Sequence, residues 1–391
     1  MMGTNMHRIV DLMQREIRRI TSRPLYLLTM FCAPLFCSIF FTSLMHEGLP
    51  QSLPAGVVDE DNTSTTRQVI RNLDAFQQTE IVRQYSSFSE AREAMQSGEI
   101  YAFYYIPNGT TEKALRSEQP KVSFYTNAAY LIPGSLLYRD MKMMSEYASG
   151  AVGRETLLAK GYTLDQAMGF LQPIQMDMRA VGNPWLNYSI YLCNTLLPAI
   201  LVLIIMLVTI FSVHSELKEG TGNEWMNMAG DNVYIGVIGK LLPQTIVFIV
   251  MIIFCQILLY GYLDFPLHSG IWTMLLAGLM LVLASQGFAL FLCAVIPSLR
   301  WALSLATLWG VLSFPISGFS FPVMAMPPAL KALSYLFPLR HYFLIYVDQA
   351  LNGLPMHYST PFYLALLAFI LMPLLNMWML KSAMRKYHYI P

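Results

Sequence analysis

Charge is scarce in this chain. Asp, Glu, Lys and Arg make up 13% of the 391 residues, while 55% are hydrophobic. An ordinary soluble domain carries about twice that share of charge, so a conventional water-soluble protein is excluded. The net charge of +1 is silent on nucleic acid, no basic patch interleaves with aromatics, and no nucleic-acid partner is expected. Cysteine is also sparse. Cys32, Cys37, Cys193, Cys255 and Cys293 all lie in apolar runs, so the large polar segment carries no disulfide framework. With no Cys-x-x-Cys or Cys/His cluster, metal binding is not expected and apolar packing is the expected role. A phosphate cradle is missing too. Its nearest approach, Gly236-Val-Ile-Gly-Lys240, runs into Leu241, with the wrong spacing and no final hydroxyl. The seven histidines and scattered serines show no triad order. No catalytic residue and no cofactor are expected on this chain.

Long apolar runs are what is present. Six exceed the roughly 20 residues that cross a hydrocarbon core, predicting helices near 25–45, 187–212, 242–262, 271–296, 301–319 and 360–380. The first run, with its flank of Arg15, Arg18, Arg19 and Arg23, also fits a secretory signal peptide. Its length and extended flank favour a retained helix. Basic residues in short segments then set orientation. Arg8, Arg15, Arg18, Arg19, Arg23, Lys218, Arg300, Lys381, Arg385 and Lys386 fall on one side if both termini are cytoplasmic, whereas the loop 263–270 has no Lys or Arg.

The chain divides accordingly. Residues 1–23 carry an amphipathic helix, with Met6, Ile9, Val10, Met13, Ile17 and Ile20 at helical spacing and Asp11, Arg15, Glu16, Arg18 and Arg19 largely opposite. Such a helix lies in the membrane interface, as a lipid anchor or a partner contact. Residues 24–46 are the first span, and 47–185 form a polar domain placed outside the cytoplasm. There, strands at 55–59, 79–85, 100–106 and 121–126 alternate with helices at 64–75, 88–97, 111–117 and 134–160, which argues for a small α/β domain. Ser87 and Glu90 offer a capping box. Residues 186–391 hold spans two to six, with a cytoplasmic loop at 214–232 and an outer segment at 320–345. Pro315, Gly318, Pro322, Pro327, Pro328 and Pro338 punctuate the latter region and forbid an uninterrupted helix. A re-entrant helical hairpin before the last span is expected.

The cores of the six spans lack Asp, Glu, Lys and Arg. That argues against ion-coupled transport, which places charges within its helices. Asn194, Gln256, Gln286 and Asn376 are then expected to bond neighbouring helices rather than a substrate. Glu216, Glu219 and Glu224 read as solvated charges on a cytoplasmic loop, and Lys240 as a residue snorkelling to lipid head groups.

Taken together these polar residues resemble the permeases of ATP-binding-cassette exporters of the ABC-2 type, in the branch with a large external domain after the first helix. The resemblance rests on Glu216, on Glu219-Gly220-Thr221 with Glu224, and on Gly239-Lys240-Leu-Leu-Pro243. An extra residue, Gly222-Asn223 in place of one, separates Thr221 from Glu224. Downstream, Ser317-Gly318-Phe-Ser-Phe321-Pro322, Met326-Pro327 and Pro338-Leu339-Arg340 resemble that family's outer segment. Val57-Val58-Asp59, Glu99-Ile100-Tyr101-Ala102 and Ile106-Pro107 resemble its external domain.

The resemblance implies a bacterial inner-membrane exporter subunit powered by a dimer of separate cytoplasmic ATPases, which bind the ATP and magnesium. It implies a coupling helix at 216–231 seated in the ATPase. The expected coupling residues are Glu216, Glu219, Gly220, Thr221, Glu224 and Lys240, and the expected outer-segment residues are Gly318, Pro322, Pro327, Pro338 and Arg340. A second permease copy or paralogue, membrane lipid and a periplasmic adaptor complete the implied partners. The substrate cannot be read. Two rivals stand: a membrane-anchored binding or assembly protein built around 47–185, and an ion-coupled secondary transporter.

Overall fold

The computed structural model describes residues 2–116, 118–179, 181–184 and 186–386. They fall into two compact units, one of Glu47–Arg179 and one of Met1–His46 with Ala180–Pro391. The second unit opens with helix α1 (Met2–Ser22) and helix α2 (Pro24–Leu44).

The Glu47–Arg179 unit runs β1 (Leu53–Asp59), α3 (Ser64–Asp74), β2 (Thr79–Tyr85), α4 (Phe88–Ser97), β3 (Ala102–Ile106), α5 (Thr110–Leu115), β4 (Ser123–Thr126), α6 (Leu131–Ala159) and α7 (Leu164–Leu171). The strand order is β2-β1-β3-β4, with β1 parallel to both neighbours and β4 antiparallel to β3. Central β1 is apolar on both faces, as a strand covered twice must be. Val57 joins Leu73, Tyr104, Leu137 and Met141 on one side; Val58 joins Tyr85, Ala91, Ile100 and Phe103 on the other. Helix α4 keeps only half of its expected capping box. Ser87 accepts the Glu90 amide, but the Glu90 carboxylate takes the Ser86 amide and hydroxyl instead. Reciprocal boxes occur at Thr63/Thr66 and Thr163/Gln166, and helix α7 was not anticipated.

The other unit continues with α8 (Tyr188–Lys218), a short helix α9 (Gly222–Met228), α10 (Val233–Tyr262), α11 (Ile271–Val295), α12 (Leu299–Ile316), α13 (Pro328–Ser334), α14 (Pro338–Ile345) and α15 (Met356–Lys386). Six helices (α2, α8, α10, α11, α12 and α15) are long and apolar enough to cross a membrane, which makes this a polytopic, mostly helical protein. The bounds that differ most tellingly from the sequence expectation are those at the polar island. Helix α8 runs on past residue 212 and α10 begins nine residues before 242, because the polar residues at those ends are buried against one another rather than solvated. Helix α15 is interrupted by a 3₁₀ turn at Met372–Leu375. Between α12 and α15 the Pro-rich stretch breaks into a 3₁₀ turn (Val323–Ala325), α13 and α14. Trp309 of α12 pins the α13–α14 turn by stacking on Phe337 and donating to the Leu336 carbonyl.

The four polar residues expected to join helices all do so. Asn194 accepts from Tyr260, Gln286 accepts from Thr245, Gln256 donates to the Met274 carbonyl, and Asn376 to that of Phe291.

Candidate functional site

The polar island of the sequence becomes the end of α8, a tight turn, α9 and the start of α10. Gly220 closes α8 at φ +71°. There the amide of Thr221 reaches back to the Glu216 carbonyl and that of Gly220 to Leu217. This pair of bonds is a Schellman termination, which favours glycine at the left-handed position. The expected coupling helix is therefore shorter than 216–231: only Gly222–Met228 is helical after the turn. The extra residue is accommodated in its first turn, where Gly222 packs against the Met384 backbone.

Glu216 and Lys240 correct the sequence reading most. Neither is a surface charge; Glu216, Lys240 and Glu16 are 0%, 1% and 1% exposed. Lys240 Nζ donates to Glu16 Oε2 and to Glu216 Oε1, each at 2.7 Å. Arg15 forks onto both Glu216 oxygens at 2.9 Å, the geometry that makes guanidinium–carboxylate pairs strong. Arg19 and the Thr221 hydroxyl also donate to Glu216. Ser212 donates to Glu16 at 2.7 Å, and Gln244 donates to Ser212 at 3.0 Å. The cluster then runs outward, with Arg19 and Arg23 each gripping Glu219.

The arrangement explains the Gly-Lys-x-x-Pro spacing. Helix α1 packs along α10 so closely at Gly239 that a Cβ there would sit 2.6 Å from Leu12 Cβ and 3.2 Å from the Ile9 carbonyl. The next residue, Lys240, is thereby delivered to Glu16, one turn beyond Leu12 on α1. Pro243 has no amide to offer the carbonyl of Gly239.

The face assignment of α1 changes with it. Leu12, Glu16 and Ile20 are buried, with Arg15 and Arg19 beside them, whereas Met6, Val10 and Ile17 stand 65%, 41% and 46% exposed. The charged residues bind the bundle, and part of the apolar stripe faces away from it. A second clamp comes from α15. Lys381 and Arg385 both grip Asp231 and Arg385 reaches Asn223; together these bonds hold the Asp231 carboxyl below the usual carboxylate range.

Between α1 and the α8–α9 turn lies a shallow open groove of about 600 Å³, walled by Arg15, Arg18, Arg19, Arg23, Glu219 and Glu224. Burial works against the Arg15 charge, but Glu216 outweighs it and raises that group further. Hydrogen bonding to Glu219 does the same for Arg23. Glu224 and Arg18 are exposed, and neither side chain is bonded among the described residues. The sequence did not mark Arg15, Glu16, Arg19, Arg23 or Asp231 as parts of this site. An acid amid a basic helix, Glu16, was the available signal. Gly318, Pro322, Pro327, Pro338 and Arg340, expected in an outer segment, belong to a separate region around α13 and α14.

The family model described as ABC-2 family transporter protein matches residues 24–379. The chain belongs to the ABC-2 transporter family. No curated protein matches it. As an ABC-2 permease with six membrane-capable helices, it is a multi-pass membrane subunit of a transporter, of a family that generally works with a partner ABC ATPase. Helix α1, which supplies Arg15, Glu16 and Arg19 to the ionic cluster, and Arg23 just after it lie before the matched region of this ABC-2 permease.

Proposed function

We propose that this chain is the permease of an ATP-driven exporter, moving its cargo outward while a dimer of separate cytoplasmic ATPases binds and hydrolyses ATP with magnesium. In this reading the groove between α1 and the α8–α9 turn receives the ATPase, both termini are cytoplasmic, and the α/β unit lies outside a bacterial inner membrane. The segment 320–345 re-enters the membrane from that side. A second permease copy or paralogue completes the pore, and the α/β unit is the surface offered to a periplasmic adaptor.

One observation carries the reading. Two of the groove's walls, Arg15 and Arg19, reach inward to Glu216, which shares Lys240 with Glu16 and so ties α1 to the ends of α8 and α10. A push on the groove is thus delivered to two membrane helices through a cluster that does not yield locally. A two-state machine needs a ligand that binds its states differently, and ATP at the partner supplies that difference. The groove presents four arginines with Asp11, Glu219 and Glu224, so charge complementarity sets partner choice and register more than affinity.

The roles divide by burial. Glu216 and Lys240 are structural members of the lever and do not touch the partner; Glu224 and Arg18 are the groups free to meet it. The test is co-purification of the permease with its partner ABC ATPase. Glu224→Arg and Arg18→Glu should each reduce retained ATPase about tenfold or more, since like charges at an interface cost several kcal/mol, with no change in thermal midpoint. Retention unaffected by both substitutions and by deletion of 219–224 would refute the assignment.

A further inference from the structure

The outer segment holds a buried charge that the mechanism above does not use. Arg340, the third residue of α14, is 7% exposed. Its Nε and Nη1 are buried without any hydrogen-bond partner, and no carboxylate lies within ion-pair distance among the described residues. Its companion is the ring of Tyr335, 4.8 Å from the guanidinium carbon. Tyr335 is in turn held by its carbonyl, which accepts from His341 Nε2 at 3.0 Å.

A guanidinium does not escape burial by losing its proton. Desolvating an ion without a counter-charge costs more than one face-on aromatic contact returns. The missing counter-charge must therefore come from outside the described chain. A planar fork of donors selects a carboxylate or a phosphate, which it can bind with two parallel bonds. What covers the guanidinium is lightly built. A Cβ on Gly318 would lie 3.6 Å from Nη1 and 2.8 Å from Val323 Cγ2, so Gly318 lies against the guanidinium with Val323 packed on Gly318. The turn that carries them exposes Phe321 and Met324, the latter 95% accessible.

We propose that Arg340 anchors a binding site for the anionic head, carboxylate or phosphate, of an amphiphilic molecule whose apolar body lies on Phe321 and Met324 of the covering turn. The turn between Gly318 and Ala325 lifts to admit it. Both sources of such a head are within reach of this region: a lipid of the surrounding bilayer and an exported cargo. The site depends on the exporter reading only for calling the ligand cargo. Binding is measured without the ATPase, so failure of the site and failure of the coupling groove are separate results.

The experiment uses the full-length permease in phosphatidylcholine nanodiscs, with dodecyl phosphate as the probe and inorganic phosphate and dodecyl maltoside as head-only and tail-only controls. Native mass spectrometry gives the affinities. Dodecyl phosphate should bind saturably and at least about tenfold more tightly than either control, a gap that head and tail must share to produce. Arg340→Gln should weaken it by about tenfold or more, and Arg340→Lys by less, because an ammonium keeps the charge but not the fork. Phosphatidylglycerol added to the discs should compete if the resident ligand is lipid and leave binding unchanged if it is cargo. Equal binding to wild type and Arg340→Gln would overturn the site, as would tail-only binding of equal strength. So would an Arg340→Gln protein destabilised to the same extent with and without dodecyl phosphate, which would place the partner in a second copy of the chain. Should Arg340→Gln not insert, the comparison of Arg340→Lys with wild type against the two controls decides.

Discussion

Replacing Lys240 by Met tests whether α1 is locked to the bundle by charge. The substitution keeps a long side chain in a site that is 1% exposed but removes the ammonium. The two acids it bridges are not equally affected. Glu216 keeps Arg15, Arg19 and Thr221. Glu16 keeps only the Ser212 hydroxyl, so it becomes a buried carboxylate with one neutral donor. Breaking a buried pair from one side costs about 3–5 kcal/mol. At about 1.4 kcal/mol per tenfold, hydrogen exchange of α1 amides in the full-length protein should accelerate by roughly a hundredfold to a few thousandfold. Adding Glu16→Gln, which removes the stranded charge and keeps an acceptor for Ser212, should restore most of the protection. The resulting double-mutant cycle should show a coupling of about 2 kcal/mol or more. If Lys240→Met changed α1 exchange less than about fivefold, or if the double variant were no better protected than the single, the buried lock would be refuted.

Other consequences follow from the same geometry. Gly239→Ala should lower the thermal midpoint, at a cost of about 1–3 kcal/mol for overpacking; Leu12→Ala should not rescue it, because the clash is with Leu12 Cβ itself. In the α/β unit, burial raises the Asp140 carboxyl above its ordinary range, against the opposing pull of Thr79 and Arg139. A raised folded value means that its stabilisation is complete below the ordinary carboxylate pKa, about 3.9, and is lost as pH rises through the folded value. Asp140→Asn, which keeps an acceptor for Thr79 but does not ionise, should therefore flatten the pH dependence of exchange in α6 and β2 above that value. An unchanged profile would show that another group sets it. Increasing salt should loosen the exposed Asp231 clamp to Lys381 and Arg385 well before it affects the buried cluster, since exposed pairs are screened first; exchange in α9 against α1 would reveal the order.

Much of the scaffold was legible because one-dimensional patterns record it directly. Charge-free runs longer than a bilayer is thick mark the membrane-capable helices. Strand segments alternating with helical ones place strands such as Thr79–Tyr85 to the residue. The polar residues at 194, 256, 286 and 376 were readable as helix-to-helix bonds, since a polar group in an apolar helix has few other means of satisfaction. Helix ends were less legible. Glu216 and Lys240 look like the places where apolar helices stop, and only their mutual neutralisation lets α8 and α10 run past them.

By itself the sequence determined that this is a polytopic membrane protein of the ABC-2 kind, with its polar motifs gathered between the second and third spans. Hydrophobicity and motif spacing are local properties, and each residue carries its share of them. Tertiary structure decided which of those polar residues are surface and which are core. The pairings of Glu16 with Lys240, and of Arg15 with Glu216, join positions 224 and 201 residues apart, and nothing in either neighbourhood specifies the other. Arg340 was marked by its motif, but the same reason hid what sets it apart, burial without a partner among the described residues. That absence appears only when every neighbour in space has been placed.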